Sequence, residues 1–149
     1  MHYLAVGVVL ALISACASAQ TNRSPADTAR GFIDAMRMMA EDCLLNSQIA
    51  FDTLLLKQFS AAEAVKKDRA CPRDSMQQLP QLRAKTVGPV QSEIKTECAK
   101  AIDDLYVDVM VHWENYLSNP VEPLPDQRRR VHAEVDALRA KASRIKYLC

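Results

Sequence analysis

The chain has 149 residues with 19 Lys and Arg against 18 Asp and Glu, a net charge of +1 and only three glycines. Near-neutrality excludes whole-molecule attraction to nucleic acid or membrane. The scarcity of glycine and of β-branched alternation removes the raw material of hairpins and phosphate-cradling loops and leaves helices.

The opening stretch MHYLAVGVVLALISACASAQ carries an apolar run from Leu4 to Ile13 and ends in Ala17-Ser18-Ala19, the pattern of a signal peptide over residues 1–19. That run is too short to span a bilayer, and no later segment is apolar enough to be transmembrane. Cleavage after Ala19 makes residues 20–149 a single helical domain, removes Cys16 and leaves four cysteines that can all pair in an extracellular compartment. An alternative takes Ile13-Ser14-Ala15-Cys16 as a lipobox that tethers a bacterial envelope lipoprotein through Cys16. The sequon Asn22-Arg23-Ser24 marks a glycosylation site disfavoured by Pro25.

The first helix is predicted from SPAD, with Ser24 as cap, Pro25 at the first helical position and Asp27 in the first turn, to about Lys57. Its apolar stripe runs through Phe32, Met36, Met39, Cys43, Ala50 and Leu54. Met36, Met38 and Met39 would line either the core or an adaptable ligand pocket. A capping box at Ser60 and Glu63 starts a short second helix, expected to stop at Cys71-Pro72 because the residue before proline is pushed out of the α region. The stretch from Pro72 to Pro89 reads as a connection with a helical turn near Leu79 to Lys85. A long helix is expected from about Pro89 through Ile94, Cys98, Ile102, Leu105, Val109 and Trp113, ending before Asn119-Pro120. The last helix, capped by Asp126, places Val131, Val135, Leu138, Ala142, Ile145 and Cys149 on one seam. Such a seam gives the terminal cysteine a purpose, which is to anchor the final helix covalently. The fold class is therefore all-α, an antiparallel bundle of three to four helices stapled by two disulfides.

Four cysteines allow three pairings. With the two longest helices antiparallel, Cys43 and Cys98 fall near their middles, which favours Cys43 with Cys98 and Cys71 with Cys149; a Cys98 to Cys149 bond is the main competitor. No C-x-x-C spacing suggests a redox or metal role. The mature chain has two histidines, His112 and His132, neither placed beside a nucleophile in sequence nor paired at zinc spacing. Asp103, Asp104, Asp108 and Glu114 read as a solvated helix face without the calcium-loop spacing. No catalytic residue, cofactor or metal is expected, and the protein is taken as non-enzymatic.

The strongest functional signal is the basic last helix, with Arg128, Arg129, Arg130, Arg139, Lys141, Arg144 and Lys146. It would dock an extracellular protein partner or an anionic polysaccharide or surface, or complement the acidic part of the preceding helix. A nucleic-acid partner is not expected, since no reading motif is present; the oligomeric state is left open. Among small secreted helical chains, the ASAQ signal end, the mature length and four cysteines including a terminal one resemble in layout the anophensin-like salivary proteins of mosquitoes. That resemblance implies an inhibitor of host plasma cascades such as contact activation (coagulation, haemostasis) or complement, acting by stoichiometric protein binding. The alternative of an extracellular carrier of small hydrophobic ligands follows from a looser likeness to insect odorant-binding proteins, from whose short later cysteine spacing the interval between Cys98 and Cys149 departs.

Overall fold

A computed structural model describes residues 23–58, 60–119 and 127–149. The leader, Cys16, Asn22 and the Asp126 cap lie outside them. Among the described residues four α-helices follow in order: α1 Pro25–Leu55, α2 Ala61–Thr86, α3 Thr96–Ser118 and α4 Gln127–Leu148, with a 3-10 turn Gly88–Val90 between α2 and α3. Among the described residues there is no strand and no helix long and apolar enough to cross a membrane.

Local chemistry sets the helix starts. Ser24 Oγ accepts from the Asp27 amide at 3.1 Å, with Pro25 in the first turn. Ser60 and Glu63 form the reciprocal capping box, the Ser60 amide donating to Glu63 Oε2 at 2.9 Å. The α1 end is a Schellman motif: the Lys57 amide donates to the Leu54 carbonyl and the Gln58 amide to the Thr53 carbonyl. It places Lys57 at a φ of 56°, the left-handed region that favours glycine.

The second helix departs from the sequence expectation. It does not stop at Cys71-Pro72 but runs through Pro72 and Pro80 to Thr86, and the following helix starts at Thr96 rather than near Pro89. An interior proline removes a backbone hydrogen bond and costs about 3 kcal/mol. Here the packing of α2 on α1, the most extensive helix pair, outweighs that cost. Ala64, Asp68, Pro72, Ser75 and Leu79 are all buried, at steps of four, four, three and four, so Pro72 is itself part of the seam.

The disulfides also correct the favoured pairing: the bonds are Cys43–Cys71 and Cys98–Cys149. Cys71 is not in a loop but within α2. Cys43 lies twelve residues before the end of α1 and Cys71 ten residues after the start of α2, so a tight antiparallel hairpin brings them level. Cys98 near the start of α3 meets Cys149 just past the end of α4 for the same reason. The molecule is two helical hairpins, each cross-tied, packed into an antiparallel four-helix bundle.

The core runs along the bundle axis through Phe32, Ile33 and Met36 of α1, Leu79 of α2, Ile102, Leu105 and Trp113 of α3, and Ala142 and Ile145 of α4. A buried polar chain crosses it. Tyr116 Oη donates to Asp68 Oδ1 at 2.6 Å, and the Ser47 hydroxyl lies 3.1 Å from the same phenol, linking α1, α2 and α3. Arg83 adds a second α2–α3 tie, donating to Asp103 at 2.6 Å with its guanidinium 5.0 Å from the Tyr106 ring centre.

Candidate functional site

The basic residues of α4 are mostly engaged inside the molecule. Lys146 donates to Asp34 at 2.9 Å, Arg139 to Glu41 at 3.1 and 3.3 Å, and Arg128 to Asp52 at 2.9 Å. Steps of seven and eleven residues along α1, from Asp34 to Glu41 to Asp52, match the same steps backward along α4. The three pairs thus form a ladder between antiparallel helices. Lys141 pairs with Asp108 of α3, and Arg130 reaches Glu134 within α4 at 3.9 Å. Arg129 also makes an interaction, and Arg144 is exposed. The carboxylates that answer the basic helix come chiefly from α1; the preceding helix supplies only Asp108 among the four anticipated, Asp103 being taken by Arg83 and Asp104 and Glu114 being exposed.

Glu41 is the centre of the ladder. It is 6% exposed, and Arg37 grips it from α1 at 2.6 Å while Arg139 grips it from α4. Burial pushes its carboxyl up, but the hydrogen bonds from Arg139 and Arg37 outweigh that and hold it below the ordinary carboxylate range. The same grip raises Arg37 further above its ordinary value. At the bundle's end the Arg128 hydrogen bond holds Asp52 low.

Two features remain that these pairs do not consume. The first is the outer face of α1. Met38, Leu45, Ile49 and Leu56 are 54, 37, 59 and 68% exposed. Their spacing of seven, four and seven residues sets them within about 40° of one another, opposite the core face. Asp42, exposed and without an ion pair among the described residues, lies in the middle of this stripe. Sequence reasoning missed it because attention to the buried face treats the remainder of an amphipathic helix as polar; the repeat at 38, 45 and 49 was the available signal.

The second is a cleft of about 350 Å³ between α1, α3 and α4. Leu44, Leu105, Val109, Trp113 and Leu138 form its apolar walls, and Asp108, His112, Glu134 and Lys141 also line it. His112 packs edge-on against Trp113 with ring centres 4.7 Å apart, and Tyr116 does so at 6.0 Å. Trp113 is 2% exposed and its buried indole Nε1 has no hydrogen-bond partner among the described residues. Of the methionines, Met36 is in the core, Met39 packs against it and Met38 is on the outer stripe, so none lines this cleft.

His112 and His132 are both exposed. Among the described residues no group of three or more His, Cys, Asp or Glu side chains is placed to hold a metal ion. No family model, curated protein or solved structure matches the chain.

Proposed function

We propose that the protein is a secreted, non-enzymatic binding protein that holds an extracellular protein partner stoichiometrically through the outer face of α1. The observation that carries this is the exposed stripe of Met38, Leu45 and Ile49 on α1, about 17 Å long at 1.5 Å per residue, continued by Leu56 at the helix's C-cap. An apolar stripe one helix wide, left on the side of α1 away from the core, is the geometry that receives an amphipathic helix of a partner. The carboxylate of Asp42 within it, unpaired among the described residues, calls for a cation on that helix. The two disulfides suit an oxidising extracellular compartment.

The basic last helix supports the docking role less well, since five of its seven cationic residues already meet carboxylates of the same chain. Its function is instead to fix the register of α4 on α1. The likeness in layout to anophensin-like salivary proteins makes host plasma cascades the first targets to assay.

The test is inhibition of contact activation and of complement in plasma as a function of dose. Inhibition should saturate at a fixed molar ratio to one plasma protein. The Leu45→Asp, Ile49→Asp variant should lose it at least tenfold while keeping its circular dichroism and melting temperature. Continued inhibition by that variant overturns the assignment to α1, and inhibition that deepens with incubation time at substoichiometric dose overturns the non-enzymatic reading.

A further inference from the structure

We infer that the outer face of α1 is one strand of a two-stranded coiled coil whose other strand is a helix of a different chain, apolar at heptad spacing and carrying a lysine or arginine at the one seam position level with Asp42. This rests on the reading of that face as the docking surface and adds the geometry and chemistry of what docks there.

The exposed Met38, Leu45 and Ile49 belong to a longer pattern. Gly31, Ala35, Met38, Asp42, Leu45 and Ile49 follow at steps of four, three, four, three and four, the a/d repeat of a helix-packing seam. At about 100° per residue these six lie within an arc of about 80°, on the side of α1 opposite the buried Ala29, Met36 and Ala40. Five of them are exposed and Ala35 is half-buried. Helix α1 thus carries two seams, and its own chain fills only one.

Gly31 is a residue the fold itself does not require. Glycine inside a helix is destabilising relative to alanine, yet Gly31 has no positive φ, and a Cβ built on it would meet no atom within 4 Å. What glycine does permit is close approach of a second backbone.

Asp42 sets the charge of the occupant. Within the arc α1 has no lysine or arginine, and Asp42, its one charged seam position, has no ion pair among the described residues. A polar residue at a single seam position fixes register and partner at a cost in stability, which an opposing cation offsets. A second copy of this chain does not supply that cation. Parallel in-register pairing sets Asp42 against Asp42, and antiparallel pairing that keeps the six positions level sets it against Met38, about one turn from the other Asp42. Like charges so placed repel, which selects a different chain.

The probe is a synthetic four-heptad peptide with leucine along its seam, lysine at one central seam position, and flanking lysines that keep it from pairing with itself. Titration calorimetry should show one peptide per protein, bound about tenfold more weakly when the seam lysine is replaced by glutamate. Asp42→Lys, an exposed change, should keep its circular dichroism and invert that preference. Gly31→Leu, which meets nothing within the chain, should keep its melting temperature and weaken binding about threefold or more. Equal binding of the two peptides by the unmodified protein, or the same preference in Asp42→Lys, overturns the proposal. Unchanged binding by Gly31→Leu overturns the close approach at that end. A dimer of the protein alone in sedimentation, dissolved by Leu45→Asp, Ile49→Asp, makes a second copy the occupant and overturns the proposal as well. Plasma inhibition that Leu45→Asp, Ile49→Asp abolishes, without discrimination between the peptides, keeps the docking face and removes the coiled coil. Discrimination without plasma inhibition keeps the coiled coil and removes the plasma targets.

Discussion

Replacing Tyr116 with phenylalanine isolates the most consequential polar contact in the core. Asp68 is 0% exposed; its Oδ1 accepts the Tyr116 hydroxyl at 2.6 Å, and its Oδ2 has no hydrogen-bond partner among the described residues. The phenol's own pKa is driven far above its ordinary value, first by burial and then by the Asp68 carboxyl that accepts its hydrogen bond, so the hydroxyl remains a donor. Phenylalanine keeps the ring against Trp113 but strips Asp68 of its bond. A hydrogen bond to a carboxyl group in a dry site contributes about 1.5 to 3 kcal/mol, and stranding the buried acceptor places the loss at the upper end, roughly 3 kcal/mol. For a domain of this size that corresponds to a fall of about 10 °C in melting temperature. Urea unfolding followed by circular dichroism at pH 7 measures it, and the cycle with Asp68→Asn gives the coupling, expected at about 1 to 3 kcal/mol. A loss below about 0.5 kcal/mol, or strict additivity of the two substitutions, would refute the view that this pair holds α2 and α3 together.

The acid and alkaline limbs of stability have opposite signs. Glu41 and Asp52 have depressed pKa values in the fold, so their contribution is present above about pH 4.3 and 3.9 and disappears as pH falls through the folded values; Glu41→Gln should flatten the acid limb of a pH-stability profile. Tyr116 has a raised value, so its contribution is complete below about pH 10 and lost as pH rises beyond it, a limb that Tyr116→Phe should lack. Removing the Cys98–Cys149 bond with alanines, which opens a sequence separation of 51, should cost about 4 kcal/mol in urea unfolding, slightly more than opening the Cys43–Cys71 separation of 28; non-reducing peptide mapping checks the connectivity. Lys57→Gly should raise stability by about 1 kcal/mol by relieving a left-handed residue at the α1 terminus, measured as a shift in the urea midpoint at constant m. Arg128→Gln, Arg129→Gln and Arg130→Gln together should leave partner affinity within about threefold and stability within about 1 kcal/mol, since the Arg128–Asp52 and Arg130–Glu134 pairs are exposed; titration calorimetry against the captured partner and a thermal melt decide it.

Where apolar side chains carried the packing, the fold was legible from the residues alone. The α3 stripe from Cys98 to Trp113 is buried as its spacing requires, the α1 stripe and the α4 seam ending in Cys149 are buried except at the half-buried Met39, Leu54 and Leu138, and both serine caps are formed. The second half of α2 was not legible, and the reason is chemical. Its buried seam is Ala64, Asp68, Pro72, Ser75 and Leu79, with one large apolar residue in five, so hydrophobic periodicity is silent where positional periodicity is intact. Two prolines then point the wrong way, because their local cost is visible in the sequence and the compensating contact with α1 is not.

That one misplaced boundary propagated into the disulfides. Ending the helix at Cys71 detaches the cysteine from any face and frees it to be paired with a distant terminus. Keeping α2 helical puts Cys71 on the face toward α1, within the same seam as Asp68 and Ser75, and Ser75 Oγ lies 3.2 Å from Cys43 Sγ. The disulfide and the polar chain of Ser47, Tyr116 and Asp68 thus occupy neighbouring turns of one interface. Small and polar residues at Asp68, Pro72 and Ser75 let α1 and α2 approach to the 5.2 Å Cα separation of the cysteine pair, closer than a seam of leucines would permit. The same substitution of polar for apolar residues that hid the helix from its sequence is what lets the two helices sit close enough to be bonded.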